Sequence, residues 1–281
     1  MNETITNIPL GELHPFPDHP FGVRDDEAME QTVESIREYG VLVPAIARPR
    51  EDGGYELIAG HRRKHACERA GLETMPVIVR DLDHNAAVIV MVDSNIQREN
   101  ILPSERAKAY KMKLEAIKRQ GARHDLTSTQ IAQKLSVEKV AEEAGTSKDQ
   151  VRRYIRLNEL EPQLMQMVDE GKIGMTPAVE ISYLKPEEQK LLIETIDSEQ
   201  ATPSFSQAQR MKRLSQEGKL NDDAMLGIMM EQKKPENWDL KLPMDKIRKY
   251  FPRSYTPQRM EETIIKLLDM WMKKRQRDQQ R

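Results

Sequence analysis

Residues 136–160 read SVEKVAEEAGTSKDQVRRYIRLNEL, and this stretch decides the architecture. Val140, Ala141 and Ala144 give a first helix a small apolar face, Gly145 supplies a tight turn, and Ser147 is placed to cap a second helix. Val151, Ile155 and Leu157 bury one side of that second helix. Small residues ahead of a glycine turn let two helices cross closely, as a helix-turn-helix requires, here over 137–158. Ser147, Lys148, Gln150, Arg152 and Arg153 then lie where a second helix meets double-stranded DNA. Gln pairs with adenine, Arg with guanine, and Lys with phosphate, so these types suit a major groove. The competing reading is a plain helical hairpin with a solvated basic face; the coincidence of glycine, cap and basic face favours the first.

The bulk numbers agree with local rather than global recognition. The 281 residues are 38% apolar and 32% charged, with a net charge of −2. A neutral chain can still hold basic patches. Lys148, Arg152, Arg153 and Arg156 against Asp149 give a local +3, and Lys273, Lys274, Arg275, Arg277 and Arg281 against Asp278 a local +4. No apolar run reaches the ~18 residues of a membrane helix, so no membrane association is expected. The N-terminus lacks a basic region followed by an apolar core, so no secretory signal is read there. A single cysteine, Cys67, excludes an internal disulfide and a cysteine metal cage. A cytoplasmic protein is the expectation.

On the N-terminal side strands and helices mix. Residues 1–24 are Pro-rich and extended; a helix capped by Asp25 or Asp26 carries Met29, Val33 and Ile36 and ends at Gly40. VLVPAIARP reads as a strand, EDGG as a hairpin turn, YELIAG as the returning strand, HRRKHACERA as a helix, and MPVIVRDL as another strand. Length favours a helix for NAAVIVMVDSN. Beyond Pro103 a helix with Ala107, Tyr110, Leu114 and Ile117 inside ends at Gly121, ARHDLTST loops, and short helices follow. The fold class is an α+β N-terminal domain (1–100), a mainly α-helical helix-turn-helix domain (101–218) and a helical C-terminal region (219–281). In the last region ENWDLKLP is a short-strand candidate. The helix from Thr256 carries Met260, Ile264, Leu267, Leu268 and Trp271 on one stripe, which packs on its own chain or makes a dimer.

Gly60 follows a strand at a helix start, where free N–H groups attract anions, and Arg62 and Arg63 add bidentate donors. His61 and His65 have metal-ligand spacing on a helix but no third ligand.

The segments VESIREYGVLVPAIARP, YELIAGHRRKHA, TMPVIVRDL and SNIQREN, followed by the helix-turn-helix, together resemble the ParB family of partition proteins over about residues 5–190. The resemblance implies CTP and Mg²⁺ in the N-terminal domain, a palindromic centromere-like DNA site, and a nucleotide-gated clamp of two copies. By position it assigns Gly40, Val41 and Pro44 of the GVLVPA loop, Gly60, Arg62, Arg63 and Ala66 of the Gly-x-Arg-Arg helix, and Asn95, Gln97 and Arg98 to the nucleotide. Asn95 is also the implied Mg²⁺ ligand, and the homodimer is implied by the palindrome.

The departures are specific. His61 stands where the family has Glu in Gly-Glu-Arg-Arg, and Ser94 where it has Glu before the Asn. A carboxylate would bind Mg²⁺ and orient water. Asp93 is one residue away, but helix neighbours point about 100° apart. The expectation is therefore weak CTP hydrolysis at most, with no catalytic residue assigned. Residues 1–23 contain no Lys or Arg, so that segment does not support a ParA-type ATPase partner. The alternatives are a ParB-like regulator that has lost hydrolysis and, more remotely, an enzyme of the sulfiredoxin or nucleotide-dependent kinase type on the same N-terminal fold.

Overall fold

The structure, a computed structural model, describes residues 4–98, 100–122, 129–231, 247–252 and 254–279. Residues up to Glu231 form one compact unit, and those from Gln232 onward a second.

The first unit opens with two strands, β1 (Ile5–Pro9) and β2 (Leu13–Pro15), then α1 (Glu27–Tyr39), β3 (Ala45–Pro49), β4 (Tyr55–Ala59), α2 (His61–Ala70), β5 (Thr74–Val79) and α3 (His84–Ile96). The five strands make one mixed sheet in the order β1-β5-β3-β4-β2. β1 is antiparallel to β5 and β2 runs parallel beside β4, so both ends of the sheet come from the Pro-rich segment expected only to be extended. β3 pairs antiparallel with β4 and parallel with β5.

Strand alternation sorts the sheet's faces. Ala45, Ala47 and Leu57 pack with Met29, Val33 and Ile36 of α1 and Ala66 and Cys67 of α2. Ile58 belongs instead to the core with Val88, Met91 and Val92 of α3. Asp26 caps α1, accepting from the Met29 N–H at 2.9 Å, and Gly40 closes it at φ +69°. The strand expected from Val41 begins only at Ala45: Pro44 offers no N–H to a ladder, and Leu42 and Val43 stand exposed.

After α3 the chain is helical: α4 (Pro103–Ala122), α5 (Thr129–Glu143), α6 (Lys148–Arg156), α7 (Pro162–Asp169), α8 (Met175–Ile181), α9 (Pro186–Glu199), α10 (Phe205–Gln216) and α11 (Asp222–Met230). α4 runs one residue past the expected stop at Gly121, and most of the expected ARHDLTST loop lies outside the described residues. α4 is the spine of this unit. Its Ala109, Tyr110 and Leu114 share a core with α3, Val140 of α5 and Val151 of α6, whereas its Ala107 joins the core of α7 to α11. Asp169 of α7 caps α4 by accepting from the Ser104 N–H at 2.9 Å and hydroxyl at 2.5 Å.

In the second unit α12 (Pro257–Gln279) holds the C-terminal stripe. Leu267, Leu268 and Trp271 are exposed on it, and Met260 is buried. The expected strand in ENWDLKLP lies outside the described residues. Among the described residues no helix is long and apolar enough to cross a membrane.

Candidate functional site

Gly60 joins β4 to α2 at φ +116°. A Cβ there would lie 2.8 Å from the Ala45 Cβ and 3.3 Å from its Cα, so only glycine lets α2 start against β3. Gly60 has no side chain with which to cap α2, so among the described residues the first N–H groups of α2 are left open. Arg62 and Arg63 follow. Arg62 donates to Asp26 Oδ1 at 3.0 Å. Arg63 donates to the carbonyls of Val43 and Pro44, the latter at 2.7 Å, and so fastens the loop after Gly40.

Arg98 arrives from the segment after α3. Arg98 keeps part of its surface in solvent, yet partial desolvation, then the charges of Arg62 and Arg63, lower its pKa, and Glu105 opposes them. Three guanidinium groups therefore converge from two distant stretches of sequence. Among the described residues no carboxylate stands within ion-pair distance of Arg98. A cleft of about 390 Å³ opens here, lined by Arg24, Asp26, Arg62, Arg98, Asn100 and Glu105 among others. Such a cleft favours a polyanion, which relieves the repulsion among the arginines.

Two carboxylates that the motif reading did not place there shape the cleft. Asp26, read only as a helix cap, also holds Arg62, and that guanidinium keeps its carboxyl below the usual range. Glu105 accepts from the Gly22 N–H at 2.9 Å and the Leu102 N–H at 3.1 Å, tying the loop before α1 to the start of α4. Its place three residues after Leu102 is a capping-box position, the one sequence signal that marks it.

The other candidates divide. Gly40, Val41 and Pro44 belong to the loop that Arg63 grips. Ala66 is wholly buried between α2 and the sheet, so it supports the loop and does not line the cleft: its position on the inner face of α2 dictates this. Gln97 ends α3 and is exposed. Asn95 is buried, and its amide donates to Met91 O at 2.8 Å and Ser94 Oγ at 3.1 Å, leaving Oδ1 as its group for a ligand. Asp93 points elsewhere, bound by Lys113, so it does not stand in for the carboxylate missing at Ser94. For Mg²⁺ the donor set is thin. No cluster of three or more His, Cys, Asp or Glu suited to a metal exists among the described residues. One amide oxygen fits a cation held chiefly by phosphate oxygens, as Mg²⁺ commonly is, rather than a protein-only cage.

His61 does not pair with His65, which bonds Asp25 at 2.9 Å. His61 lies against His19 instead, with ring centroids 3.9 Å apart. Among the described residues neither Nε2 has a hydrogen-bond partner, although His19 Nδ1 is 2.8 Å from Phe21 O. Burial, followed by the charges of His19, Arg98 and Lys64, pushes the His61 pKa down to about 3. Burial also lowers that of His19. The unfolded chain thus takes up a proton near pH 6.5 that the folded chain refuses, so stability is full above that pH and is lost as pH falls towards 3. One such histidine contributes at most about 1.4 kcal/mol per pH unit. The urea midpoint should drop between pH 7 and 5 in the wild type and drop less in His61→Gln; equal drops would show the pair to be solvated.

In the helix-turn-helix, Gly145 turns at φ +63° and the Thr146 N–H reaches Ala141 O at 2.9 Å, closing α5. Ser147 caps α6, accepting from the Gln150 N–H at 3.2 Å. Lys148 and Arg152 are exposed and Gln150 is half-buried. Among the described residues Lys148 and Arg152 carry only surface ion pairs, to Glu138 at 3.3 Å and Asp149 at 3.4 Å, which are weak and exchangeable. Arg153 leans back to Thr176 of α8 at 2.8 Å. Arg156, part of the basic cluster in sequence, is committed to the fold: it lies 4.2 Å from the Tyr183 ring and donates to Ser182.

The fold and the two sites define a class: a mixed α/β module with an anion cleft, continued by a helix-turn-helix domain. The family follows from comparison. The ParB N-terminal domain model matches residues 1–96 and the ParB HTH domain model residues 99–216, and the chain belongs to the ParB family. The chromosome-partitioning protein Spo0J of Thermus thermophilus is 32% identical over 184 residues, 66% of this chain and 62% of the relative. The stage 0 sporulation protein J of Bacillus subtilis is 34% identical over 173 residues, 62% of this chain and 55% of the relative. The chain therefore spans less than two thirds of either relative. Among solved structures, C-terminally truncated ParB of Caulobacter crescentus complexed to the centromeric parS site aligns with 26% identity and a TM-score of 0.46, over 74% of this chain and 98% of that one.

Proposed function

We propose that this chain is a DNA-binding protein of the chromosome-partitioning ParB type, with a CTP site in the arginine cleft and a palindromic centromere-like duplex as the target of its helix-turn-helix. The observation that carries the nucleotide half is the convergence of Arg62, Arg63 and Arg98 at the open start of α2. Arg63 and Arg98 hold the triphosphate, Gly60 allows close backbone approach, and Asn95 Oδ1 faces the cation. Bound Mg²⁺ would neutralise phosphate charge. The protein works in the cytoplasm on the nucleoid, as a homodimer for which the exposed stripe of α12 is the candidate contact. Titration with CTP, UTP, ATP and GTP, with and without DNA, tests this; CTP should bind tightest, and absence of CTP binding even with DNA present would refute the cleft assignment.

A second reading, binding with little or no turnover, has its own support: His61 and Ser94 remove two carboxylates, and Asp93 is held by Lys113. Ser94→Glu should raise hydrolysis; no change would count against the missing-carboxylate account.

On DNA, Arg152→Ala should cost ~1–3 kcal/mol of base discrimination. Lys148→Ala should instead weaken all sequences alike and lower the salt slope by about one. Fluorescence anisotropy across a salt series, on the duplex that the chain enriches from a random-sequence pool, separates the two. If neither change alters binding, α6 is not the reading helix.

A further inference from the structure

Lys113 is the largest fully buried side chain among the described residues, only 2% exposed. It sits in the middle of α4, and its ammonium bonds two carboxylates on different elements: Asp93 on α3, and Glu143 at the end of α5 at 2.6 Å. Asp93 directly precedes Ser94 and Asn95, and its helix leads into Arg98 of the cleft. Glu143 closes the first helix of the helix-turn-helix, just before the Gly145 turn. One ammonium therefore joins the cleft's helix to the DNA-reading motif.

A buried ion pair is weak evidence for stability, because an apolar residue of similar volume often replaces it at no loss. Such a pair makes one arrangement of its neighbours distinct from another. Both carboxylates are part-exposed, Asp93 at 42% and Glu143 at 36%, so each can turn to water, whereas the ammonium cannot. Glu143 has a second cation, Lys139, at 4.0 Å, to which it can pass. The rigid path is short: Glu105 on the cleft rim and Lys113 are eight residues apart on one helix, about 12 Å.

We propose that Lys113 is the positioning residue through which the nucleotide cleft and the helix-turn-helix sense each other's occupancy. A ligand that shifts the last turn of α3 changes the hold of Asp93 on Lys113, and the ammonium then leans on Glu143, which biases the setting of α5 against α6. This rests on the functional reading above.

Coupling is reciprocal, so one number measures it: the ratio of CTP dissociation constants without and with the self-selected duplex. The wild type should differ from unity by about fivefold or more. Lys113→Met should bring the ratio close to one while each single affinity changes by less than about threefold. Should Lys113→Met fail to fold, Asp93→Asn and Glu143→Gln carry the test, since both alter part-exposed carboxylates. Each should cut the ratio, and the double variant should cut it no further, because one shared path is non-additive. If the wild type binds no CTP or no duplex, the functional reading fails and this inference with it. If it binds both and is uncoupled, or stays coupled within about twofold in all three variants, the inference alone is overturned.

Discussion

An alanine at position 60 should lower the melting temperature by about 5–15 °C, whereas an alanine at position 71 should lower it by about 2–4 °C. Both glycines flank α2, and both have positive φ, +116° at Gly60 and +78° at Gly71. They differ in what a side chain would meet. At Gly71 there is nothing within 4 Å, so the cost is the left-handed backbone alone, about 1 kcal/mol. At Gly60 the new Cβ lies 2.8 Å from that of Ala45, a fully buried strand residue with no room to retreat. Strain and overpacking together come to about 2–5 kcal/mol. Thermal unfolding followed by circular dichroism measures both. Equal shifts would mean that β3 yields, and that Gly60 serves the ligand rather than the sheet.

Arg63→Ala should raise the dissociation constant for CTP by about 10–150-fold, the worth of hydrogen bonds to a charged group. Arg63→Lys should recover only part of this, since an ammonium keeps the charge but loses the planar fork. Arg63 also holds the Val43 and Pro44 carbonyls, so its loss loosens the loop that carries Leu42 and Val43. Arg98→Ala separates the two roles: Arg98 makes no such loop contact, yet it lines the cleft beside Arg62 and lies close enough to Arg63 to feel its charge. Isothermal titration of the three variants should show a loss for Arg98→Ala as well. Hydrogen exchange over 41–44 should rise only in the Arg63 variants. Unchanged CTP affinity in both Arg63→Ala and Arg98→Ala would reject the triphosphate role of the cluster.

What could be read along the chain was whatever depends on near neighbours. The apolar spacing of Met29, Val33 and Ile36, the Asp26 and Ser147 caps, and the Gly40 and Gly145 stops all lie where local periodicity placed them. The helix over NAAVIVMVDSN also formed, as α3. Motif order was sufficient for the family. It did not distinguish Arg152, which is exposed with a surface ion pair to Asp149, from Arg153 and Arg156, which are engaged with α8 and the turn after it.

The sequence by itself determined the local vocabulary: which residues start and stop helices, where the chain turns, and that a helix-turn-helix follows an α+β segment. Only the tertiary structure decided that Ile5–Pro9 and Leu13–Pro15 become the two edge strands, because a short extended segment takes its partner from residues far along the chain. It likewise brought Arg98 to Arg62 and Arg63, moved Ala66 into the core, and set Asp93 on Lys113 instead of the cleft. The reason is range. Caps and apolar stripes act over three or four residues, while sheet pairing and the company a charge keeps are settled by packing between elements that the sequence sets tens of residues apart.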